Sequence, residues 1–275
     1  MQHKIAILIC WYGHYPWYFS YFIHSCSYNP TIDFLIISDN PQPVFNLPRN
    51  VKIVYKTIEG VKATASEKLG LRVNVENPYK LCDYKPAYGF LFPEIIKGYD
   101  FWGHGDIDVI FGNIRNFISD TILNSHDLIC ARHDFLTGYF QLFRNNEKMN
   151  TLFMQSKDCE KVFSSSKHYC FDETNFAWDD FAEGKPLEQI DCEIESMNHV
   201  VRKLADKKEI MAYFDFHVIE GLPGRLKWQN GILVYRNKFE VMLYHMVLFK
   251  NGCKNKRSPK KIPDTFYISP TRIYC

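Results

Sequence analysis

The sequence has no Cys-x-x-Cys pair, no apolar run of membrane-spanning length, no internal repeat and no low-complexity linker. Each absence removes a class of protein. Nine cysteines stand apart at positions 10, 26, 82, 130, 159, 170, 192, 253 and 275. An odd number without paired spacing speaks against a zinc knuckle or a disulfide framework; it predicts reduced, mostly buried thiols, as in a cytosolic protein. A membrane span needs roughly 20 consecutive apolar residues, and no stretch comes near it. The opening MQHKIAILICWYGHYPWYF has an apolar centre of only about six residues, short of a signal-peptide core. It reads as a buried first strand.

A charge excess is also missing. The net charge is +2 over 275 residues, so composition gives no case for nucleic-acid binding. The balance hides one local run, KNGCKNKRSPKK at 250–261, which contains no acidic residue. One domain over 1–250 followed by a basic, solvated tail over 251–275 is the economical reading. Attraction of that tail to an anionic membrane surface is the alternative, worth about 1 kcal/mol per basic residue. The expected location is cytoplasmic, with peripheral work at the inner face of the membrane left open.

Apolar and aromatic material is plentiful. Hydrophobic residues make up 46% of the chain, enough for one large α/β domain. Aromatics reach 16%, with 22 Phe and 17 Tyr, more than packing needs; carbohydrate and nucleobase sites use aromatic walls. Lys4–Cys10 (KIAILIC) and Asp33–Ser38 (DFLIIS) are continuous apolar runs, the mark of strands covered on both faces. Val51–Tyr55 (VKIVY) alternates like a third strand, and Trp17–Ser27 between the first two has helical length. This β-α-β-β order predicts an α/β fold with a mainly parallel sheet. Pro41, Pro43 and Pro48 mark a loop, and residues 61–97 read as two helices separated at Pro78, with Pro86 either near a helix start or kinking the helix and Gly98 as terminator. Strands are expected at 99–104, 127–131 and 139–144, mixed helix and loop over 146–206, a late strand at 232–235, and strands or a strand and helix over 241–249.

The segment richest in chemistry is YDFWGHGDIDVIFGN at 99–113. On extended backbone Asp106 and Asp108, two residues apart, project to one side. Two carboxylates flanked by Gly105 and His104 make a negative spot suited to Mg²⁺ or Mn²⁺, which bind through carboxylates and substrate phosphates. Phe101 and Trp102 just before them place the spot at the end of a core strand, where open α/β sheets bind ligands.

In this context the chain resembles the GT-A glycosyltransferase superfamily, in particular the bacterial capsule and lipopolysaccharide sugar transferases grouped with DUF6625-like proteins. The matching stretches are KIAILICWYG, FLIISDN at 34–40, YKLCDYKPAYGFLFPE at 79–94, GYDFWGHGDIDVIFGNI at 98–114 and GYFQLFRN at 138–145, followed by FDE at 171–173 and YHMVLFK at 244–250. The resemblance implies a GT-A (Rossmann-like) mixed, mainly parallel sheet flanked by helices. It also implies a nucleoside-diphosphate-sugar donor (a UDP-sugar favoured), a divalent metal, and transfer of a hexose to a hydroxyl of a glycan or lipid-linked saccharide in cell-surface polysaccharide synthesis. Asp106 and Asp108 then match the Asp-x-Asp pair on metal and donor, and His245 the late histidine ligand. Lys250 would contact donor phosphates. Trp11, Tyr12 and Gly13 after the first strand, and Asp39 after the second, take the places of base and ribose contacts. Lys80, Asp83 and Lys85 correspond to charged helix residues that touch the donor, although intrahelical ion pairs would explain them equally. The resemblance makes Asp172 and Glu173 candidates for the acceptor-side acids, one of them a base if the reaction inverts configuration, both orienting hydroxyls if it retains it.

Other readings fit less well. A metallophosphoesterase needs an early Asp-x-His and a later Gly-Asn-His-Asp, and neither occurs. A sugar nucleotidyltransferase would carry a Gly-rich, Arg-containing loop after the first strand, where this chain has aromatics. A non-catalytic nucleotide-sugar or carbohydrate-binding relative stays open.

Overall fold

The computed structural model describes residues 2–41, 44, 46–257, 259 and 261–275. Met1, Pro43, Ser258 and Lys260, which figure in the expectations, lie outside the described residues. Among the described residues three sheets form, of seven, five and three strands. The largest contains β1 (Ile5–Cys10), β2 (Ile32–Ser38), β3 (Val51–Tyr55) and β4 (Phe101–Gly105), and the smallest begins with β5 (Val109–Phe111). Returning to the large sheet, β6 (Leu128–Cys130), β7 (Phe140–Arg144) and β8 (Ala212–Phe214) complete the order β3-β2-β1-β4-β7-β6-β8. Strand β1 pairs parallel with β2 and β4, and β2 parallel with β3; β7 is antiparallel to β4 and β6, and β6 is parallel to β8. Only β7 therefore runs against the rest, and the α/β, mainly parallel sheet flanked by helices is as expected.

The apolar runs are explained by this layout. Ile5, Ile7 and Ile9 of β1 join one core with Phe22, Phe34 and Phe111, whereas Ala6 and Leu8 join another with Leu35, Ile37 and Trp102. Both faces are covered, so alternation of polarity disappears, and each fully buried aliphatic side chain contributes roughly 1.5–3 kcal/mol. Helix α1 (Phe19–Ser27) packs its Phe19, Tyr21 and Phe22 into the first of these cores. Helix α2 (Ile58–Leu69) is capped by Thr57, whose Oγ1 accepts the Gly60 N–H at 3.0 Å, and is closed by Gly70 at φ +67°.

The 61–97 stretch departs from expectation. After Gly70 the chain leaves the helix because Val73 and Val75 turn inward to the core. It then forms a 3₁₀ run over Pro78–Ala87, followed by a single helical turn, Tyr88–Leu91. Pro86 lies inside that run, not at its start, which leaves the second of its two expected roles, an interior break in the helix.

The second half completes the smaller sheets. Strands β9 (Val218–Glu220), β10 (Leu226–Gln229), β11 (Ile232–Tyr235), β12 (Phe239–Val241) and β13 (Leu243–His245) precede a short turn of helix at Phe249–Gly252. Strands β14 (Thr265–Ser269) and β15 (Arg272–Tyr274) form a hairpin that extends the five-stranded sheet, ordered β12-β11-β10-β14-β15. This corrects the tail expected over 251–275. Phe266, Ile268 and Ile273 are buried, and β14 pairs with β10. The two-residue alternation in TFYIS was masked by the preceding basic run, of which Lys254, Lys256, Arg257 and Lys261 are exposed. All nine cysteines are free, with Cys275 exposed. No helix among the described residues is long and apolar enough to cross a membrane.

Candidate active site

Strand order reverses around β1 and β4: β2 and β3 lie to one side, β7, β6 and β8 to the other. At such a switch point the loops leaving the C-terminal strand ends diverge and open a crevice. A cavity of about 480 Å3 lies there, bounded by Trp11 and Tyr12 after β1 and by Asp106 and Asp108 after β4. His245, Lys250, Lys85, Asp172 and Glu173 also line it. The aspartate pair occupies a bend between β4 and β5 rather than the extended backbone expected, with Ile107 turned into the core. Both carboxylates nonetheless face one cavity.

The small sheet builds the Asp108 side. Its order is β5-β13-β9, and the register sets His245 beside Val109 on one edge and Glu220 on the other. The Met246 N–H donates to the Asp108 carbonyl at 2.8 Å, which ties the bend to β13. His245 Nδ1 donates to Glu220 Oε1 at 3.0 Å, and its Nε2 lies 3.6 Å from Asp108 Oδ2. Lys250 Nζ donates to the same Asp108 oxygen at 2.7 Å. Burial would disfavour the imidazolium, but the Asp108 and Glu220 carboxylates outweigh it and push His245 up to about 9. Asp108 is held well below the usual carboxylate range; burial opposes this, and His245 and Lys250 prevail. Behind Glu220 stands Arg132, whose guanidinium reaches both Glu220 and Asp134, and Tyr139 packs on His245 with ring centroids 4.3 Å apart.

The other side is organised around the backbone of Gly138. Its carbonyl accepts from Lys85 Nζ at 3.0 Å and from His104 Nδ1 at 3.1 Å, while its N–H donates to Glu173 Oε1 at 2.6 Å. Lys85 Nζ also donates to Asp106 Oδ1 at 2.7 Å and lies 3.6 Å from Asp172 Oδ2. A Cβ at 138 would displace side chains of the site, since it would meet Asp172 Oδ2 at 2.4 Å and Glu173 Oε1 at 2.9 Å. Burial alone would lower the Lys85 pKa, yet Asp106 and its other anionic neighbours drive it up. Asp172 is pushed well above the ordinary carboxyl value, first by burial, with Lys85 opposing and Glu173 adding to the rise. His104 is driven down to about 3 by burial and by Lys85, so it is a neutral donor to Gly138. Glu173 has both oxygens occupied, since Oε2 accepts from Trp178 Nε1 at 2.7 Å.

Four expected site residues lie elsewhere. Lys80 and Asp83 are 1% and 0% exposed and pair with each other at 2.8 Å, beneath the cavity. Lys80 also donates to the carbonyls of Val162 and Lys167, and Asp83 accepts the N–H groups of Tyr169 and Phe171. They therefore suture the chain before Asp172 to the 3₁₀ run and are not donor contacts. Asp39 Oδ2 accepts the Ile58 N–H at 3.4 Å at the start of α2, and the Gly13 carbonyl accepts from Asn40 Nδ2 at 2.7 Å. Conversely, Glu220, Arg132, Tyr139 and Gly138 were missed. Gly138 and Tyr139 carried a signal, as the opening of GYFQLFRN; Arg132 and Glu220 become visible only through pairing across distant strands.

Asp108 and His245 are the residue types that could hold a divalent cation, once the imidazolium gives up its Nε2 proton. A carboxylate oxygen and an imidazole Nε2 face each other, and Glu220 fixes the ring through Nδ1, the usual support of a metal-binding histidine. Asp106 supplies a further carboxylate in the same cavity. As the side chains stand, Lys250 and Lys85 neutralise the two aspartates. Among the described residues no group of three or more His, Cys, Asp or Glu side chains is placed to hold a metal ion.

The sequence matches DUF6625, described as a family of unknown function, over residues 7–275. The chain belongs to this family. No curated protein matches it. Among solved structures it is similar to the galactosyltransferase LgtC in complex with donor and acceptor sugar analogues, at 11% identity and a TM-score of 0.37, covering 79% of this chain and 76% of that one. Mouse xyloside xylosyltransferase 1 in its apo form is similar at 9% identity and a TM-score of 0.40, over 89% of this chain and 97% of that one. The apo glycosyltransferase GlyE of Streptococcus pneumoniae TIGR4 is similar at 11% and 0.39, over 77% of this chain and 45% of that one. At these identities and scores the likenesses carry no functional weight.

Proposed function

We propose that this DUF6625 chain is a glycosyltransferase that takes a sugar from a nucleoside diphosphate, a UDP-sugar by preference, and passes it to a saccharide hydroxyl. One observation carries the reading: residues 106, 108, 172, 173, 245 and 250, dispersed along the chain, meet in one cavity at the strand-order switch. Trp11 and Tyr12 offer aromatic surface for the base, and Lys250 a cation for the diphosphate. Asp106, Asp108 and His245 would hold Mn²⁺ or Mg²⁺. Such an ion neutralises charge gathering on the departing diphosphate.

The reaction breaks the bond from the anomeric carbon to the diphosphate oxygen and forms one to the acceptor oxygen, which loses a proton. Asp172 is the residue suited to take that proton in an inverting transfer. It faces the cavity, and a carboxyl raised by burial is a better base than an ordinary one. Glu173, with both oxygens held by N–H donors, is a positioning residue for the Gly138 loop and Trp178. In a retaining transfer Asp172 would orient hydroxyls instead, and the anomeric configuration of the product distinguishes the two.

The test is release of free sugar from UDP-, GDP- and CMP-sugars without acceptor. Slow, cation-stimulated hydrolysis of one of them that is lost in Asp108→Asn supports the transferase. Binding of a nucleotide sugar with no hydrolysis and no transfer to any saccharide would make the protein a non-catalytic binder.

A further inference from the structure

The outer wall of the cavity is aromatic, and the chemistry of transfer leaves it unused. Tyr79, Phe176 and Trp178 line it and are 65%, 49% and 38% exposed. With His168 they form a continuous edge-to-face series. Ring centroids are 4.7 Å apart for Tyr79–His168, 5.6 Å for His168–Phe176 and 5.6 Å for Phe176–Trp178. Exposed aromatic rings gathered on one concave surface lose the burial that ordinarily stabilises them.

The backbone makes the exposure more telling. Asn175 and Phe176 are both left-handed, at φ +56° and +67°. Asparagine tolerates that region, but a bulky aromatic does not, and holding it there costs about 1–3 kcal/mol. Asn175 enforces the turn: Nδ2 donates to the Tyr169 carbonyl at 2.7 Å, Oδ1 accepts from the Glu193 N–H at 2.8 Å, and its own N–H donates to the Cys170 carbonyl at 3.0 Å. The result of this strain is a phenyl ring held half in water at the cavity mouth. Neither packing nor backbone preference accounts for it. Trp178 is fixed too, because its indole N–H is bonded to Glu173, whose other oxygen holds the Gly138 loop.

We propose that Tyr79, Phe176 and Trp178 form a stacking platform for a neutral pyranose, the acceptor of the transfer; as acceptor assignment it rests on the glycosyltransferase reading. The C–H groups on one face of a pyranose carry partial positive charge, which the negative face of an aromatic ring attracts. A ring stacked there presents its hydroxyl edge to Asp172. Anionic sugars are disfavoured, because the Glu173 carboxylate is bonded to Trp178 of the platform while Lys85 and Lys250 are engaged by Asp106 and Asp108.

Saturation-transfer NMR with methyl β-glucopyranoside, methyl β-galactopyranoside and methyl β-glucuronide tests this on the intact protein, with UDP, GDP and CMP binding measured in parallel. At least one neutral glycoside is expected to bind, with strongest transfer to the protons of one ring face and at least tenfold weaker binding of the glucuronide. Phe176→Ala and Tyr79→Ala should each weaken binding tenfold or more. Phe176→Gly controls for folding: it should melt above Phe176→Ala, since φ +67° costs alanine and not glycine, yet lose the glycoside equally. Binding unchanged in the folded variants, equal binding of the glucuronide, or no glycoside binding to wild type overturns the platform. Glycoside binding with no nucleotide binding leaves the platform standing and removes the transferase reading.

Discussion

Replacing Asp83 should destabilise the Asp172 side of the cavity, although Asp83 itself does not line it. Its carboxylate is fully buried and accepts from Lys80 Nζ at 2.8 Å, the Tyr169 N–H at 2.9 Å and the Phe171 N–H at 2.8 Å, with His168 Nδ1 3.2 Å from Oδ1. Asp83→Ala leaves two backbone N–H groups without acceptors and a buried ammonium without its counter-charge, held only by the Val162 and Lys167 carbonyls. Breaking one half of a buried pair costs about 3–5 kcal/mol, a large share of the roughly 5–15 kcal/mol that stabilises a folded domain. At about 2–4 °C per kcal/mol for a chain near this size, the melting temperature should fall by roughly 10 °C. Lys80→Met should cost less, about 2–3 kcal/mol, because the carboxylate keeps both N–H bonds. Linkage adds a pH signature. The Asp83 pKa is depressed in the folded state: burial would raise it, but His168 and Lys80 prevail. Its stabilisation is therefore complete above the unfolded carboxyl value near 4 and is lost as pH falls toward the folded value. Wild type and Asp83→Ala should converge in stability below about pH 4 and differ most at neutral pH. Calorimetric or urea unfolding measures this. A neutral-pH difference of under about 1 kcal/mol would refute the clamp.

Three further outcomes are expected. Gly138→Ala should fold but lose about 1–3 kcal/mol by overpacking and lose turnover disproportionately, since its Cβ would displace Asp172, Glu173 and Lys85 together; melting and sugar release on one sample check both. Asp172→Asn should lower transfer about 10²–10⁴-fold, the usual scale of a lost general base, while the nucleotide-induced thermal shift stays as in wild type; an active Asn variant would exclude Asp172 as base. A neutral-pH alkylating reagent should modify Cys275 ahead of the other thiols, because Cys26, Cys130, Cys170 and Cys253 are buried and burial pushes Cys26 and Cys130 upward; peptide mass mapping gives the order.

Much of the fold could be read from the chain where one physical signal dominated. The unbroken apolar runs of β1 and β2 follow from burial on both faces, and the turn chemistry around Pro41 and Pro48 separates β2 from β3. Local pattern failed where distant partners decide. Lys80, Asp83 and Lys85 share one charged stretch, yet only Lys85 reaches the cavity, because Val162, Tyr169 and Phe171 offer backbone partners to the other two. Glu220 stands in VIEG with no local mark; register beside β13 gives it His245. The C-terminal hairpin was obscured by the lysines before it, although Phe266 and Ile268 alternate as a half-buried strand should. Asp106 and Asp108 were found by spacing, but a bend rather than a strand turns them to the cavity.

A thermal-shift titration of wild type and Asp108→Ala with UDP, GDP and CMP, each with and without Mn²⁺, tests the central claim most directly. A ligand that binds only the native state raises the melting temperature, by about 2.7 kcal/mol of stabilisation at 100 times its Kd. The account predicts that one nucleoside diphosphate stabilises the wild type in the presence of Mn²⁺ and that the effect vanishes in a folded Asp108→Ala. No shift in wild type with any nucleotide, or an undiminished shift in the variant, would contradict it.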